Sequence, residues 1–322
     1  MRRSRFPNLC SQGSCNRTLL KKQRGISLIE IMVGILISGI VLAAILLNVA
    51  TTARSSVLQS QQSAMIENGQ FALSLLGKNI RNAGYESLTR VESPVIDRKR
   101  FGKYILGCES GIISDTASTL PAWGAQCQNS GNNDAIAVRY QGGLLTMLPK
   151  DGDSVDSSIY QAVDCAGKAV TDTVKRSDGE DIFIVDNRFY ISSDDELVCW
   201  GNGDATARPV AQNIEKLQLS YGVSDRVVNN SGFTLLAGQT TRYMTATELV
   251  NKYGISGEGE ADPWERVTSV RVCVQVKSSE PIFSASSYDY TDCDGNIQTS
   301  SDSHIRRALF TTVDVSNIGL GF

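Results

Sequence analysis

The chain has 322 residues, 41% of them hydrophobic and 20% charged, which is enough for one or two domains with their own cores. Its formal net charge of −3 is unevenly divided: residues 1–25 hold seven basic side chains and no acidic one, so 24 basic groups face 34 acidic groups in the remainder. A body with a net charge of −10 lacks the basic footprint that nucleic acid requires, and that class of partner is excluded.

Residues 1–25 form a basic leader (Arg2, Arg3, Arg5, Arg17, Lys21, Lys22, Arg24) that also carries Cys10 and Cys15. The apolar run Ile26–Ala50 follows and is long enough to cross a bilayer, which takes about 20 residues. Lys21, Lys22 and Arg24 flank one side and Arg54 the other, so the positive-inside rule keeps the leader in the cytoplasm and exports the body. A cleaved secretory signal would have a shorter apolar core, and the helical pattern continues straight through Ala50 and Ala53. Glu30 lies inside the run, where an unpaired carboxylate costs several kcal/mol. It either serves a function or sits at the cytoplasmic interface.

The helical pattern then narrows to one stripe. Leu58, Met65, Ala72, Leu76, Ile80 and Ala83 fall on one face, and Gly84 is suited to end the helix. A helix from Ile26 to Ala83 is about 87 Å long at 1.5 Å per residue. Gly34 and Gly39 permit close packing between helices, or are ordinary glycines of a spanning segment. Past Tyr85, strands are predicted at Ala135–Tyr140, Ile182–Ile191, Ile214–Val223, Val267–Val276 and Ala308–Val315. A short helix is predicted at Glu248–Tyr253, capped by Thr245 or Thr247. Ser224–Gly232 and Ser278–Ser303 read as surface insertions. The division is thus 1–25 leader, 26–84 long helix (26–50 transmembrane, 51–84 amphipathic), and 85–322 a β-rich periplasmic or extracellular domain. The fold class is α+β, a long N-terminal helix packed on an antiparallel sheet.

Six body cysteines, Cys108, Cys127, Cys165, Cys199, Cys273 and Cys293, show no C-x-x-C spacing. They read as disulfides of an oxidising compartment rather than a zinc site. Pairing of sequence neighbours is the simplest of fifteen connectivities, and buried free thiols are the alternative. The one histidine, His304, lies in a polar stretch without a nucleophile–base constellation, and no phosphate-cradling loop is present. The acidic stretches Asp292–Asn296 and Asp151–Asp156 could offer oxygens to calcium but complete no EF-hand, so no metal and no cofactor is assigned. Trp123, Trp200, Trp264, Tyr288 and Tyr290 read as core or isolated surface aromatics. The chain is not read as an enzyme.

The stretch Lys21-Lys22-Gln23-Arg24-Gly25-Ile26-Ser27-Leu28-Ile29-Glu30 resembles a prepilin processing site: basic residues, a glycine, then an apolar segment with glutamate fifth. The resemblance implies cleavage after Gly25 by a prepilin peptidase, N-methylation of Ile26, and pairing of Glu30 with the α-amine of a neighbouring subunit. Ile26 departs from the usual first phenylalanine, and the leader is long. Residues Gln61–Tyr85, with Glu67-Asn68-Gly69-Gln70-Phe71-Ala72-Leu73 and Ile80–Tyr85, resemble PilW-type minor pilins, as do Ile214–Val223 and Trp264–Val272. No resemblance is evident between about Glu86 and Arg208. The family implies a pilin-like fold and a structural minor pilin of the type IV pilus, taking part in an initiation or tip complex. It is then held in the inner membrane by a single pass before assembly and lies in the pilus at the cell surface afterwards. Implied partners are other minor pilins, the major pilin, the inner-membrane assembly platform and a tip adhesin. Two alternatives remain: a minor pseudopilin of type II secretion, and a single-span anchored periplasmic enzyme or receptor.

Overall fold

The computed structural model describes residues 25–86, 104–115, 125–128, 131–142, 147–149, 160–175, 181–204, 206–224, 226–228, 234–236, 240–254, 262–281 and 287–317. The chain divides into two compact units, Met1–Ser56 and Val57–Phe322. Helix α1 (Leu28–Asn82, 55 residues) contains no proline and belongs to both.

In the first unit α1 is exposed all round, and its apolar stretch is long enough to span a membrane. In the second unit the helix buries Met65, Gly69, Ala72, Leu73, Leu76, Gly77, Asn79 and Ile80. The expected stripe is therefore widened by Gly69, Leu73 and Gly77, while Leu58 stays half-exposed. Gly69 gives the helix room against the sheet, because a Cβ there would crowd the side-chain methyls of Leu309 and Val276, which would have to shift. The helix ends as its sequence predicts: Gly84 takes φ +72°. The side-chain amide of Asn317 donates to the terminal carbonyls of Arg81 (2.8 Å) and Ala83 (3.3 Å).

The body is built from strands β1 (Ile105–Cys108), β2 (Ile112–Asp115), β3 (Ala125–Gln128), β4 (Ala135–Gln141), β5 (Met147–Pro149), β6 (Tyr160–Ala162), β7 (Thr173–Lys175), β8 (Asp181–Ile191), β9 (Glu196–Gly201) and β10 (Arg208–Gln212). They are followed by β11 (Ile214–Val223), β12 (Arg226–Val228), β13 (Thr234–Leu236), β14 (Arg242–Met244), helix α2 (Ala246–Tyr253), β15 (Val267–Lys277), β16 (Tyr288–Thr291), β17 (Ile297–Ser300) and β18 (Arg306–Asp314). The single expected sheet is in fact two. One has the order β1-β4-β8-β9-β10 with β7 on β8, and the other β14-β11-β15-β18; all their pairings are antiparallel. Four two-stranded pairs complete the described strands.

The amphipathic half of α1 packs on the second sheet, whose inward residues Val270, Val272, Val274 and Val276 alternate with outward Ser269, Arg271, Cys273 and Gln275. Its last turns also reach the first sheet. Asn187 of β8 donates to the Asn79 carbonyl (2.7 Å) and to the Tyr140 hydroxyl (3.1 Å). All three side chains are buried and hydrogen-bonded: Tyr140 also donates to Asn79 Oδ1 (3.3 Å), Asn79 to the Leu75 carbonyl (2.9 Å), and Asn187 Oδ1 accepts the Cys165 N–H (2.9 Å). The sheets meet again where Asn133 and Asp134 lie along β11: Leu217 N–H donates to Asn133 Oδ1 (3.2 Å) and Leu219 N–H to Asp134 Oδ2 (2.7 Å). Tyr221 stands edge-on to buried Trp264 (5.0 Å), and a Cβ at Gly107 would collide with the Tyr221 ring.

The stretch expected as a surface insertion at Ser278–Ser303 instead contains the β16–β17 hairpin, with Asp292 and Ser300 buried. Ser224–Gly232 likewise contains β12, paired with β13. Helix α2 begins two residues earlier than expected, and its cap is Thr245: Glu248 N–H donates to Thr245 Oγ1, and Thr245 N–H to Glu248 Oε2 (3.0 Å).

Candidate functional site

The segment expected to be processed lies at the start of α1. Around Gly25 no atom comes within 4 Å of where a Cβ would stand, and Ile26 is 72% exposed, so none of the described residues obstructs the 25–26 bond. Ser27 is the N-cap: its carbonyl accepts from the N–H groups of Glu30 (3.0 Å) and Ile31 (3.2 Å). The Glu30 carboxylate turns back to accept the Ser27 N–H at 3.4 Å. This is half of a capping box, and it places the negative charge at the positive end of the helix. The sequence reading treated Glu30 as an awkward residue; Ser27-x-x-Glu30 was the signal that it also caps its own helix. Gly34 and Gly39 likewise face open space, and the Ser38 hydroxyl bonds back to the Gly34 carbonyl (2.7 Å).

Three disulfides fix the body: Cys108–Cys127, Cys165–Cys199 and Cys273–Cys293, with Cα separations of 5.5, 6.0 and 5.8 Å. Two of them involve the same turn, which the sequence reading overlooked. In Asp164-Cys165-Ala166-Gly167 the aspartate Oδ1 accepts the N–H groups of Ala166 (2.9 Å) and Lys168 (2.8 Å). In Asp292-Cys293-Asp294-Gly295 it accepts those of Asp294 and Asn296 (2.9 Å each). Both glycines have positive φ, +74° and +82°. The repeated tetrapeptide Asp-Cys-x-Gly was the available signal.

This geometry bears on the calcium candidates. Asp292 is filled by N–H donors, with Gln298 Nε2 (2.9 Å) on its other oxygen, and the Gln298 bond leads in holding its carboxyl below the usual range. Asp294 pairs with Lys216 at 3.3 Å. Asp151, Asp153 and Asp156 lie outside the described residues, as does Trp123. Among the described residues no group of three or more His, Cys, Asp or Glu is placed to hold a metal. His304 Nδ1 lies 2.7 Å from the Ser278 carbonyl. Trp200 lies under the Arg188 guanidinium (5.2 Å), and Tyr290 under that of Arg306 (5.5 Å).

Arg306 organises the hairpin's base. Its Nε and Nη2 reach the two oxygens of Glu215 (2.7 Å each), and Nη1 reaches Asp302 (2.7 Å). Those bonds raise the Arg306 pKa, and the Arg306 bond holds Asp302 far below the usual carboxylate range.

Residues 20–46 match the family described as the prokaryotic N-terminal methylation motif. Residues 182–317 match Type IV Pilus-assembly protein W, PilW. The first range brackets Gly25, Ile26 and Glu30. The second runs from β8 through the whole second sheet and begins inside the region where the sequence showed no resemblance. The helical stretch Gln61–Tyr85 lies outside both ranges. No curated protein and no solved structure matches the chain. With a prepilin-type N-terminus and a PilW-type body on one chain, the protein is a PilW-like, type IV pilus-related pilin.

Proposed function

We propose that the protein is a minor pilin that takes part in the initiation or tip complex of a type IV pilus. The observation that carries this reading is the joint presence of the methylation motif, which runs into the one membrane-length apolar helix among the described residues, and the PilW match in the body that follows. On this reading the chain is a single-pass inner-membrane precursor with a cytoplasmic leader. The prepilin peptidase cuts after Gly25, and Ile26 becomes the methylated first residue. Glu30, released from the Ser27 N–H, pairs with the α-amine of a neighbouring subunit. That charge pair makes a carboxylate tolerable once the helix leaves lipid for the apolar centre of a filament. The subunit then lies in the pilus at the cell surface, alongside other minor pilins and the major pilin. The assembly platform handles it before that, and a tip adhesin is a further partner.

The test is the N-terminal sequence and intact mass of the protein purified from its own membranes. The expected result is a chain beginning at Ile26 with one added methyl group; a mature chain that begins at Met1 or past Ala50 overturns the reading. Replacing Glu30 by alanine should leave insertion and leader cleavage intact and abolish incorporation into pili. Normal incorporation of that variant would refute the charge pair.

A further inference from the structure

The four-stranded sheet ends on β18, and its outer edge is open among the described residues. Which groups point there follows from the ladder. Val315 N–H donates to the Thr268 carbonyl at 2.9 Å, and the register continues from this pair through Ser269↔Asp314 to Lys277↔Arg306. Hydrogen-bonded and non-hydrogen-bonded pairs alternate in an antiparallel ladder. Leu309, Thr311 and Val313 therefore turn their backbone groups to β15, whereas Ala308, Phe310 and Thr312 turn theirs outward. The Arg306 end of this edge is occupied, because the Tyr288 hydroxyl bonds both the N–H and the carbonyl of Arg306. From Ala308 to Val313 it carries none of the usual devices against strand pairing: no charge, no proline, no glycine, no bulge. Phe310 is 56% exposed.

A cleft flanks this edge on each face. On the inner face, α1 and β18 enclose about 440 Å³ lined by Gln70, Leu73, Ser74, Gly77 and Arg81 from the helix. On the outer face a cleft of about 630 Å³ is lined by Gln218, Ser220, Arg271, Asp294 and Phe310. Phe310, Thr311 and Thr312 border both. An added strand would project alternate side chains into the two clefts, which is how strand addition combines main-chain affinity with side-chain specificity. Each cleft also holds an arginine with no carboxylate partner among the described residues. Arg81 bonds only the Gly77 carbonyl (3.1 Å), although Asp314 lines the same cleft. Arg271 stacks on Tyr243 (4.1 Å), while Asp294 at the outer rim is taken up by Lys216 and Gln218.

We infer that the outer edge of β18 is a docking site for an extended segment of another protein chain that carries acidic side chains and pairs with Ala308, Phe310 and Thr312. This inference goes beyond the pilin role and does not rest on it.

The test uses the full chain in detergent and a synthetic capped peptide, Thr-Glu-Glu-Val-Glu-Glu-Thr, whose glutamates fall on both faces of an extended strand, with a second peptide carrying lysine at each glutamate. Amide hydrogen exchange is the readout. At about 1 mM acidic peptide, the weak end of specific recognition, the Ala308, Phe310 and Thr312 amides should slow by about tenfold. Arg81→Ala and Arg271→Ala should each weaken binding about twofold to fivefold. Thr312→Pro removes an outward N–H while sparing the β15 ladder, so it should keep its melting temperature and lose the protection. Thr311→Pro, by contrast, should destabilise the sheet itself. Three outcomes overturn the proposal: no protection at those amides, equal protection by the lysine peptide, or protection that grows with protein concentration alone, which would assign the edge to a second copy.

Discussion

Asp134 joins the two sheets through the Leu219 N–H, and burial pushes its carboxyl up to about 6 from an ordinary value of 3.8. The folded state therefore holds this proton more tightly than the unfolded one, and stability from this group rises as pH falls from about 6 toward 3.8. Asp302 works in the opposite sense. The Arg306 bond depresses its pKa, so its contribution is present above the ordinary carboxylate range and is lost as pH falls below it. Asp134→Asn keeps an acceptor for Leu219 and removes the buried charge. It should gain about 1–2 kcal/mol at pH 8, allowing for solvent screening, and flatten the melting-temperature slope between pH 4 and 6. An unchanged slope in a pH series of thermal melts would show that Asp134 is not the group responsible. None of this was legible in the sequence, because the carboxylate acquires its environment only when β11, some 85 positions later, is laid beside it. The residues proposed for processing are the reverse case. Gly25, Ile26 and Glu30 are set by local spacing along one helix start, which sequence alone displays.

At the scale of elements, the long helix was the most legible part, because an unbroken apolar run leading straight into a one-sided stripe of period 3.6 fits no strand or loop. Its sheet-facing glycines were not, since a glycine's purpose depends on what faces it. Gly69 and Gly77 lie two turns apart on one face, yet they differ. A Cβ at 69 collides with Leu309 and Val276, whereas at 77 it would meet only the end of Arg81 (3.2 Å) and Val313 (3.4 Å). Gly69→Ala should cost about 1–3 kcal/mol, and Gly77→Ala should be near neutral, because the gain in helix propensity offsets a slight contact. Denaturant melts of the two variants would separate them. The β16–β17 hairpin was read as a loop because its strands are short, polar and exposed. It is ordered by Cys273–Cys293, by the Asp292 turn and by Arg306. Replacing both cysteines by serine should cost about 2–4 kcal/mol, and amide exchange should rise first in residues 288–300.

For the whole molecule, the long apolar N-terminal helix and the α+β class were legible in the sequence, but the second sheet was invisible as a separate layer. Strand existence can be read from alternation; partition into sheets requires long-range pairing such as β11 with β15. The buried trio Asn79, Tyr140 and Asn187 ties that partition to the helix, so Asn187→Leu should remove the donor shared by Asn79 and Tyr140 and the acceptor of the Cys165 N–H, leave the Tyr140–Asn79 bond in place, and cost about 1–3 kcal/mol. A melting curve in which the first sheet separates from the helix before global unfolding would be its signature, read by exchange at β4 and β8.

The three disulfides also set a mechanical property. Each closes a span of 19, 34 or 20 residues, and each lies within one sheet and its own hairpins rather than between the sheets. Under tension along the chain the two sheets can part without breaking a covalent bond, yet the enclosed segments cannot pay out as thread. The Cys165–Cys199 bridge alone withholds about 110 Å of extended chain. A single molecule stretched between its ends should thus lengthen in fewer and shorter steps when oxidised, and release the missing lengths, one segment at a time, when a reductant is added.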